Sequence, residues 1–235
     1  MKTAAVSHVG LAKGQNQDRF LIKEFSASSV LVAVADGAGG TPVGEEASAV
    51  VIEALNDFQP DSQTPETNLV RLMQEADKKI FAIVEKEPDL KGMGSTLTAA
   101  FVRRETVFWA HVGDSRLYLF RGDEISQITE DDTMAGFLLT EREITKEEAR
   151  VHPGRNFLFD FIGGGEFEEE TGSFPLRKDD LLLLTTDGLH DRVPEETLVS
   201  ILRSKSGLDK KLDTLVSTVL EKGGKDNVTV VGVEV

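Results

Sequence analysis

Four aspartates each stand where a run of apolar, β-prone residues begins or ends. They are Asp36 after VLVAVA, Asp114 in VFWAHVGDSR, Asp187 after LLLLTT and Asp226 before NVTVVGV. If these strands share one core, the four carboxylates can gather at a common edge. Hard oxygen ligands with little positive charge nearby are typical of a divalent-cation site. The sequence therefore predicts a metalloenzyme.

A single Asp-Gly after a strand has a simpler interpretation, because Asp accepts backbone hydrogen bonds and Gly adopts positive φ in ordinary turns. Four such aspartates in one chain are much harder to explain in this way. The loop DGAGG at 36–40 also places three glycines ahead of a predicted helix, so its carbonyls can approach a cation closely. The pattern favours a cation site over four unrelated turns.

The composition excludes several enzyme classes. The chain has 235 residues, 40% of them hydrophobic, which is enough for a sizeable core that folds without disulfides. It contains no cysteine, which rules out thiolate zinc sites and any phosphatase or protease with a cysteine nucleophile. The strings G-x-x-x-x-G-K-[ST] and G-x-S-x-G are both missing, so P-loop ATP hydrolysis and acyl transfer lose their usual machinery.

The charge balance argues against nucleic acid and membranes as partners. With 41 acidic and 26 basic residues, the net charge is −15. This charge repels nucleic acid and anionic lipid, and bound cations would offset part of it. The sequence also lacks a run near the roughly 18 to 20 apolar residues that a membrane span needs. We therefore expect a soluble, cytoplasmic and monomeric protein.

The histidines are poor candidates for a metal-ligand set. The chain has four of them, His8, His111, His152 and His190, and none belongs to an HxH or HxxxH pair. Zinc hydrolases commonly draw their ligands from such closely spaced histidines. We interpret all four as structural or surface residues, which argues against a zinc hydrolase.

Periodicity predicts an alternation of strands and helices. Apolar, β-prone runs predict strands at 30–35, 95–103, 106–112, 116–121, 124–128, 180–186 and 228–234. Helical spacing predicts helices at 43–58, 145–150, 195–204 and 208–221, and another of about 20 residues with a stripe from Leu69 to Val84. Residues 131–170 break this pattern, and we interpret them as a flap. The simplest account is one α+β domain over residues 1–235.

The order of the motifs is informative in its own right. Eight strings follow one another: NQDRF at 16–20, VADGAGG at 34–40, GSTLTAAFV at 94–102, HVGDSRLYLF at 111–120, ITEDDT at 128–133, HPGRN at 152–156, LLLLTTDGLHD at 181–191 and GGKDNVTVV at 223–231. This ordered set resembles the metal-dependent serine/threonine protein phosphatases of type 2C, the PPM family, in its compact bacterial members. The resemblance covers nearly the whole chain.

The resemblance implies a fold and an activity. The fold would be a four-layer α-β-β-α sandwich, with two central antiparallel sheets flanked by pairs of helices. The activity would be Mg²⁺- or Mn²⁺-dependent hydrolysis of phosphoserine and phosphothreonine in proteins that a cognate kinase phosphorylates. A water bridging two cations would attack phosphorus directly, so neither a protein nucleophile nor a phosphoenzyme would be needed.

Metal ligands are implied position by position. Asp36 resembles the carboxylate that bridges the two cations, and the Gly37 carbonyl would bind the second of them. Asp187 and Asp226 resemble ligands of the first cation. Through the bound metal and water, these three aspartates would be the catalytic residues.

Other positions resemble the family less closely. Asp114 and Asp191 are similar to a pair that helps to hold a third cation. Asp18 matches an acidic ligand that acts directly or through water, but the family's preceding glutamate is Gln17 here, which removes a charge. Lys13 stands where the family has an arginine that grips the substrate phosphate. Because lysine offers a point charge without a bidentate fork, we expect looser phosphate binding.

Two alternative functions remain open. Gln17 and Lys13 are compatible with a catalytically weak, phosphoprotein-binding regulatory module of the same fold, which metal titration would distinguish from an active enzyme. A metal-dependent hydrolase of small phosphoesters or nucleotides would need a base-stacking pocket, yet the chain has one Trp and one Tyr. A comparison of nucleotide and phosphopeptide turnover would test this second alternative.

Overall fold

Two antiparallel sheets form the centre of the computed structural model, which describes residues 1–40 and 43–235. The strands within these ranges are β1 Lys2–His8, β2 Asp18–Ser26, β3 Ser29–Ala38, β4 Gly94–Ser95, β5 Leu97–Arg103, β6 Thr106–Val112, β7 Arg116–Arg121, β8 Glu124–Gln127, β9 Glu170–Pro175, β10 Leu181–Thr185 and β11 Val228–Glu234. The first sheet has the order β1-β11-β10-β7-β8. The second has the order β2-β3-β5-β6-β9, and the short β4 pairs with β3.

Helices occupy most of the connections between the strands. They are α1 Val43–Ala54, α2 Pro65–Lys86, α3 Met134–Thr140, α4 Lys146–Val151, α5 Asp187–His190, α6 Glu195–Leu202 and α7 Leu208–Glu221. Short 3₁₀ turns extend α1 over Leu55–Asp57 and follow α2 over Pro88–Leu90. Within the described ranges, none of these helices is both long enough and apolar enough to cross a membrane.

Three apolar layers hold the sheets and helices together. Residues of α1 and α2 pack on one face of the second sheet, with Val51, Leu72 and Ile80 against Leu31 and Phe101. On the far side of the molecule, α6 and α7 pack on the first sheet in the same way. The third layer lies between the two sheets. This arrangement is the four-layer α-β-β-α sandwich implied by the sequence, and the prediction is confirmed.

The continuous apolar runs are explained by burial on both faces of a strand. In β3, Leu31, Ala33 and Ala35 face the α1 and α2 layer, whereas Val30 and its alternate neighbours face the other sheet. Because side chains alternate across a strand, both sets must be apolar. A central strand in this sandwich therefore lacks the polar face that would give an alternating pattern.

The predicted elements agree with the structure where the pattern is strongly apolar, and five elements were missed. The strands predicted near 30–35, 180–186 and 228–234 are confirmed, although the helix predicted at 43–58 ends as an α-helix at Ala54. The missed elements are β1, β2, β9, α3 and α5. All three missed strands lie at a sheet edge, where fewer apolar side chains are required, and the two missed helices have only 7 and 4 residues.

The segment predicted as a flap contains two short helices, each with a side-chain cap. Thr133 Oγ1 accepts a hydrogen bond from the Gly136 N–H at 3.0 Å and caps α3. Thr145 and Glu148 form a reciprocal capping box at the start of α4, which confirms a helix near 145–150. Such caps satisfy backbone groups that a short helix leaves without intrahelical partners.

The end of the flap is fixed to the second sheet and to α2. The backbones of Ser95 and Ile162 exchange two hydrogen bonds of 2.9 Å, which join the flap to β4. Asp77 of α2 is buried, and its Oδ1 accepts hydrogen bonds from the N–H groups of Gly163 at 2.7 Å and Gly165 at 3.2 Å. A buried carboxylate in this helix therefore holds the glycine segment 163–165 in place.

Candidate metal centre

The strand ends bring five aspartates within electrostatic range of one another. Asp18 begins β2 and pairs directly with Asp36 of β3, while Asp187 follows β10, Asp226 precedes β11 and Asp114 lies between β6 and β7. Burial raises the pKa of Asp36 well above its ordinary value, and the negative charges of the other four aspartates raise it further. We call these five residues the aspartate cluster.

Asp18 connects the two sheets. Its Oδ2 accepts hydrogen bonds from Thr186 Oγ1 at 2.8 Å and Thr229 Oγ1 at 2.7 Å, and both threonines belong to the side of the first sheet. Its Oδ1 is buried and finds no hydrogen-bond partner among the described residues. Burial raises the pKa of Asp18 to about 7, although the two threonine hydrogen bonds act in the opposite direction.

Asp187, like Asp18, has a buried carboxylate oxygen without a hydrogen-bond partner among the described residues. It begins α5 directly after β10, and the oxygen without a partner is its Oδ1. Burial, and then the charge of Asp226, raise the pKa of Asp187 to about 7, whereas a hydrogen bond with Asp36 lowers it. A buried carboxylate oxygen with no partner is costly, so this oxygen is a candidate ligand for a cation.

The glycine loop after β3 is fixed by close backbone packing. The Asp36 N–H donates to Thr96 Oγ1 at 3.0 Å, and the Asp36 carbonyl accepts from Ser95 Oγ at 3.0 Å. A side chain at Gly37 would collide with the carbonyl oxygen of Gly44 in α1. Glycine is therefore required at Gly37 because the loop passes directly over the start of this helix.

Gln17 supports the glycine loop. This residue is buried, and its backbone N–H donates to Asn227 Oδ1 at 2.9 Å, while its carbonyl accepts from the Gly37 N–H at 3.2 Å and from Ser48 Oγ at 2.6 Å. The side-chain Nε2 donates to the Gly40 carbonyl at 3.0 Å. The amide therefore binds the loop through a donor that a glutamate carboxylate would lack.

Lys13 places a positive charge beside the cluster. Its Nζ lies 2.8 Å from Asp226 Oδ1, and the two side chains are 41% and 42% exposed. The hydrogen bond to Asp226, together with the charges of Asp226, Asp36 and Asp187, raises the pKa of Lys13. Because the pair is half exposed, it contributes little to stability, and the ammonium group remains accessible to a ligand.

Asp114 and Asp191 lie on the side of the cluster that faces the flap. The Asp191 N–H donates to the Asp187 carbonyl at 2.9 Å, so these two aspartates share one helical turn. Asp191 Oδ2 accepts from Arg155 Nε at 3.3 Å. Burial, and then the charge of Asp187, raise the pKa of Asp114 well above its usual range. These side chains line a cavity of about 110 Å³ beneath α3 and α4.

The aspartates are grouped but do not form a closed ligand sphere. Across residues 1–40 and 43–235, no three His, Asp or Glu side chains converge closely enough to hold a metal ion. The donors are nevertheless hard oxygens with strong mutual repulsion, and two of them are buried without partners among the described residues. This donor set fits Mg²⁺ or Mn²⁺. Closing the ligand sphere would require some rearrangement of the side chains.

The histidines contact protein groups, in agreement with a structural interpretation. His111 is buried and bonds to Thr98 Oγ1 at 2.8 Å and to the Glu130 carbonyl at 2.9 Å, and burial lowers its pKa to about 4. His190 lies 3.4 Å from Thr185 Oγ1, and burial lowers its pKa well below the ordinary value. Both rings are therefore neutral at physiological pH.

Several residues that position the cluster were missed from the sequence. Thr186 and Thr229 bind an aspartate from the opposite sheet. Asn227 Nδ2 donates to the carbonyls of Val9 at 2.8 Å and Gln15 at 3.0 Å, which fixes the loop before β2. The sequence offered one sign of their role, since they stand in TTD beside Asp187 and in KDNVT beside Asp226. Their partners are more than 160 positions away, so no local pattern identifies the contacts.

The fold and the cluster together define a class of protein: a two-sheet α-β-β-α sandwich with buried carboxylates for hard divalent cations at one edge. The model of the protein phosphatase 2C family matches residues 10–228. The chain belongs to this family, and its enzyme class is that of a phosphoprotein phosphatase.

Similar proteins support this membership over nearly the full length. The serine/threonine phosphatase stp of Listeria innocua is 38% identical over 232 residues, which are 96% of this chain and 92% of that protein. The crystal structure of the serine/threonine phosphatase PstP/Ppp of Mycobacterium tuberculosis is 39% identical, with a TM-score of 0.89 over 98% of this chain and 97% of that one. A PstP catalytic domain solved in complex with two manganese ions is 38% identical, with a TM-score of 0.87 over 98% and 96% of the two chains.

Proposed function

We propose that this chain removes phosphate from phosphoserine and phosphothreonine in proteins, with Mg²⁺ or Mn²⁺ held by the aspartate cluster. The observation that carries the proposal is the pair of buried carboxylate oxygens, Asp18 Oδ1 and Asp187 Oδ1, that lack a hydrogen-bond partner within the described ranges. A hard cation is the partner that fits such oxygens. The two manganese ions in the similar PstP catalytic domain support the same assignment.

The proposed ligands divide between two principal cations. Asp36 would bridge both, because its charge interacts with those of Asp187 and Asp226. Asp187 and Asp226 would bind the first cation, and the carbonyl of Gly37 would bind the second. The tight packing of Gly37 against the start of α1 supports this role, because it fixes the direction of the backbone at the required point.

The remaining acidic residues have more peripheral roles in this proposal. Asp18 would complete the second site, directly or through water, since one of its oxygens is held by two threonines and the other is unpartnered within the described residues. Asp114 and Asp191 would help to hold a third cation, because both lie beside Asp187 at the flap.

The chain's residues bind and orient the substrate phosphate in the proposed reaction. When bound, the cations would supply an activated water for in-line attack on phosphorus and positive charge that offsets the phosphate oxygens. Lys13 Nζ, which lies 2.8 Å from Asp226, would contact a phosphate oxygen as a point charge. The aspartates act as ligands. The chain has no cysteine, so it forms no phosphocysteine intermediate.

A second candidate is a catalytically weak module that binds phosphoproteins. It is favoured by Gln17, whose amide donates to the loop carbonyl of Gly40 at 3.0 Å instead of offering a carboxylate to a cation. In this case the protein would bind cations and phosphopeptide but turn over slowly. A hydrolase of small phosphoesters is the third candidate, and the turnover of nucleotides and phosphopeptides compares it directly with the first.

The deciding experiment measures hydrolysis of a phosphothreonine peptide with Mn²⁺, with Mg²⁺ and with chelator, for the wild type and an Asp187→Asn variant. We expect turnover that requires the cation and falls by at least about 100-fold in the variant, because even losing a residue that only supports a metal ligand typically costs about 10- to 100-fold. Asp213→Asn on the exposed face of α7 is the matched control and should keep wild-type activity. A folded wild-type protein that binds two cations in calorimetry without turnover would favour the phosphoprotein-binding module.

The extent of the catalytic domain and the source of its substrates belong to the same proposal. We expect residues 1–235 to act as one catalytic domain, because β1 pairs with β11 along its whole length and the family model spans residues 10–228. Phosphoproteins made by a cognate kinase in the cytoplasm would be the substrates. Limited proteolysis that yields two separately stable fragments would contradict the single domain.

A further inference from the structure

Exposed apolar side chains cluster on the flap. Met134 and Phe137 of α3, and Phe157 and Phe159 in the segment after α4, are 37%, 54%, 63% and 44% exposed, respectively. We call these four residues the flap patch. Large apolar side chains that are grouped on a surface are a frequent sign of a binding site.

The four residues are neighbours in space. The Met134 N–H donates to the Phe157 carbonyl at 3.3 Å, which joins α3 to the later segment. The rings of Phe157 and Phe159 meet edge to face, with their centroids 5.9 Å apart. Phe137 lies one helical turn after Met134, and residues three apart on a helix are adjacent on its surface. The flap patch therefore consists of two neighbouring pairs, one on α3 and one after α4, which a backbone hydrogen bond joins.

The patch is linked to the aspartate cluster through Asp132 and Gly113. The Phe159 N–H donates to the Asp132 carbonyl at 2.8 Å, and Asp132 Oδ2 accepts from the Gly113 N–H at 2.7 Å. Gly113 immediately precedes Asp114 of the cluster. These two hydrogen bonds join the backbone of the patch to the residue before Asp114, and α3, which carries Met134 and Phe137, lines the same cavity as Asp114.

Negative charge borders the patch on one side. Asp160 follows Phe159, and its Oδ1 accepts from the Glu168 N–H at 3.2 Å. Asp160, Glu166, Glu168 and Glu169 line a surface groove that Lys78 also lines, so the charge of this groove is negative on balance. The surface would therefore favour a ligand that places an apolar group on the patch and a positively charged group in the groove.

We propose that the flap patch binds an apolar side chain of the substrate close to its phosphorylated serine or threonine, and that the acidic border selects a basic residue beyond it. This inference rests on the proposed phosphatase function and specifies its substrate class. The patch would then provide affinity for the peptide, while the aspartate cluster acts on the phosphate. Small phosphoesters would make no use of the patch.

A second copy of the chain fits this surface less well. Four side chains supply far less than the roughly 800 Å² per partner of a standard protein interface. The acidic border would also face the same border, or another part of a chain whose net charge is −15. Charge repulsion therefore favours a basic, apolar peptide as the occupant over another copy.

The test compares two phosphothreonine peptides that differ only in flanking residues. One carries Leu and Arg near the phosphothreonine, and the other carries Ser and Glu at the same positions. For the wild type we expect kcat/KM to favour the Leu/Arg peptide by about tenfold or more. The double variant Phe157→Ser, Phe159→Ser should lose this preference and retain wild-type hydrolysis of para-nitrophenyl phosphate.

Two controls separate the flap patch from other effects. Phe20→Ser is the matched variant, because Phe20 is 40% exposed in β2, at the opposite edge of the second sheet from β9. It should keep the peptide preference. Fluorescence anisotropy with the labelled Leu/Arg peptide in chelator measures binding without hydrolysis, and we expect the double variant to bind more weakly than the wild type.

The outcomes distinguish this inference from the proposed function. Wild-type protein that turns over neither the peptides nor para-nitrophenyl phosphate would refute the phosphatase, and the anisotropy comparison would still decide the patch. Equal peptide preference and equal Kd in the wild type and the double variant would overturn the inference. A dimer that dissociates in the double variant, with unchanged peptide constants, would assign the patch to a second copy and overturn it as well.

Discussion

Gln17 stands where the resemblance to the family implies a glutamate, and its contact explains what the amide does. Its Nε2 donates to the Gly40 carbonyl at 3.0 Å from a buried position. In Gln17→Glu, a carboxylate would face that carbonyl without a proton to share. We expect the free energy of unfolding in chelator to fall by about 1–3 kcal/mol, the cost of an unsatisfied buried polar group. Urea denaturation measures this change.

Gln17→Met separates the lost hydrogen bond from the added charge. It removes the donor and has a similar length, so it should also be less stable than the wild type in chelator. Saturating Mg²⁺ should stabilise the Gln17→Glu variant more than the Gln17→Met variant, because the new carboxylate adds an anionic oxygen beside the cluster. Equal responses of the two variants to Mg²⁺ would show that the carboxylate makes no contact with a cation.

At the scale of elements, Asp77 of α2 tests how the flap is anchored. Its Oδ1 accepts from the N–H groups of Gly163 and Gly165. In Asp77→Ala, both donors would lose their partner, so we expect about 1–3 kcal/mol less stability and faster hydrogen exchange in residues 160–165. Hydrogen exchange followed by mass spectrometry locates the change.

The matched control for this element is Asp213→Ala. Asp213 lies on the exposed side of α7, outside the flap, so its removal should leave the exchange of residues 160–165 unaltered. Uniformly faster exchange over the whole molecule in Asp77→Ala would contradict a local anchor. It would mean that Asp77 contributes to global stability instead.

Elements were predictable from the sequence wherever burial imposed a pattern. The run Leu181–Thr185 is buried throughout, so only a central strand accommodates it. In contrast, β1 (KTAAVSH) and β9 (ETGSFP) are edge strands in which polar residues and glycine satisfy the solvent-facing side. Strand order could not be predicted, because β1 finds its partner β11 at the far end of the sequence and no periodicity encodes that pairing.

At the scale of the whole molecule, the aspartate cluster should make stability depend on pH. Burial and mutual repulsion raise the pKa of Asp18 and Asp187 to about 7 in the folded protein. The folded state therefore binds more protons than the unfolded state from the ordinary aspartate pKa of about 3.9 up to pH values somewhat above 7. Stability in chelator should therefore decrease as pH rises, by on the order of 1 kcal/mol between about pH 7 and pH 8.5.

The histidines determine the pH range in which the free energy of unfolding reports on the aspartates alone. Burial lowers the pKa of His111 to about 4 and that of His190 well below its ordinary value, so both take up protons on unfolding. Their contribution has the opposite sign, but it fades above the unfolded histidine pKa of about 6.5. Denaturation curves above this value report on the aspartates, and saturating Mg²⁺ should flatten the slope. A free energy of unfolding that does not change with pH in chelator would contradict the raised pKa values of the aspartate cluster.

The candidate site was predictable in its charged members and not in its supports. Asp36, Asp114, Asp187 and Asp226 stand beside strands that the sequence identifies, and the structure brings them together at the strand ends. Thr186, Thr229 and Asn227 make contacts between residues that are far apart in the sequence. Their function depends on how two sheets are stacked, which is a property of the assembled fold.

The bond from Asp18 across the sandwich to Thr186 and Thr229 has a consequence for protein engineering. No single loop or hairpin carries the site, so grafting one onto another scaffold would transfer ligands without their spacing. A recipient would need two stacked sheets at the same separation. By the same reasoning, the flap is the part that designers could exchange between relatives, because the stacked sheets that hold the cluster would stay intact.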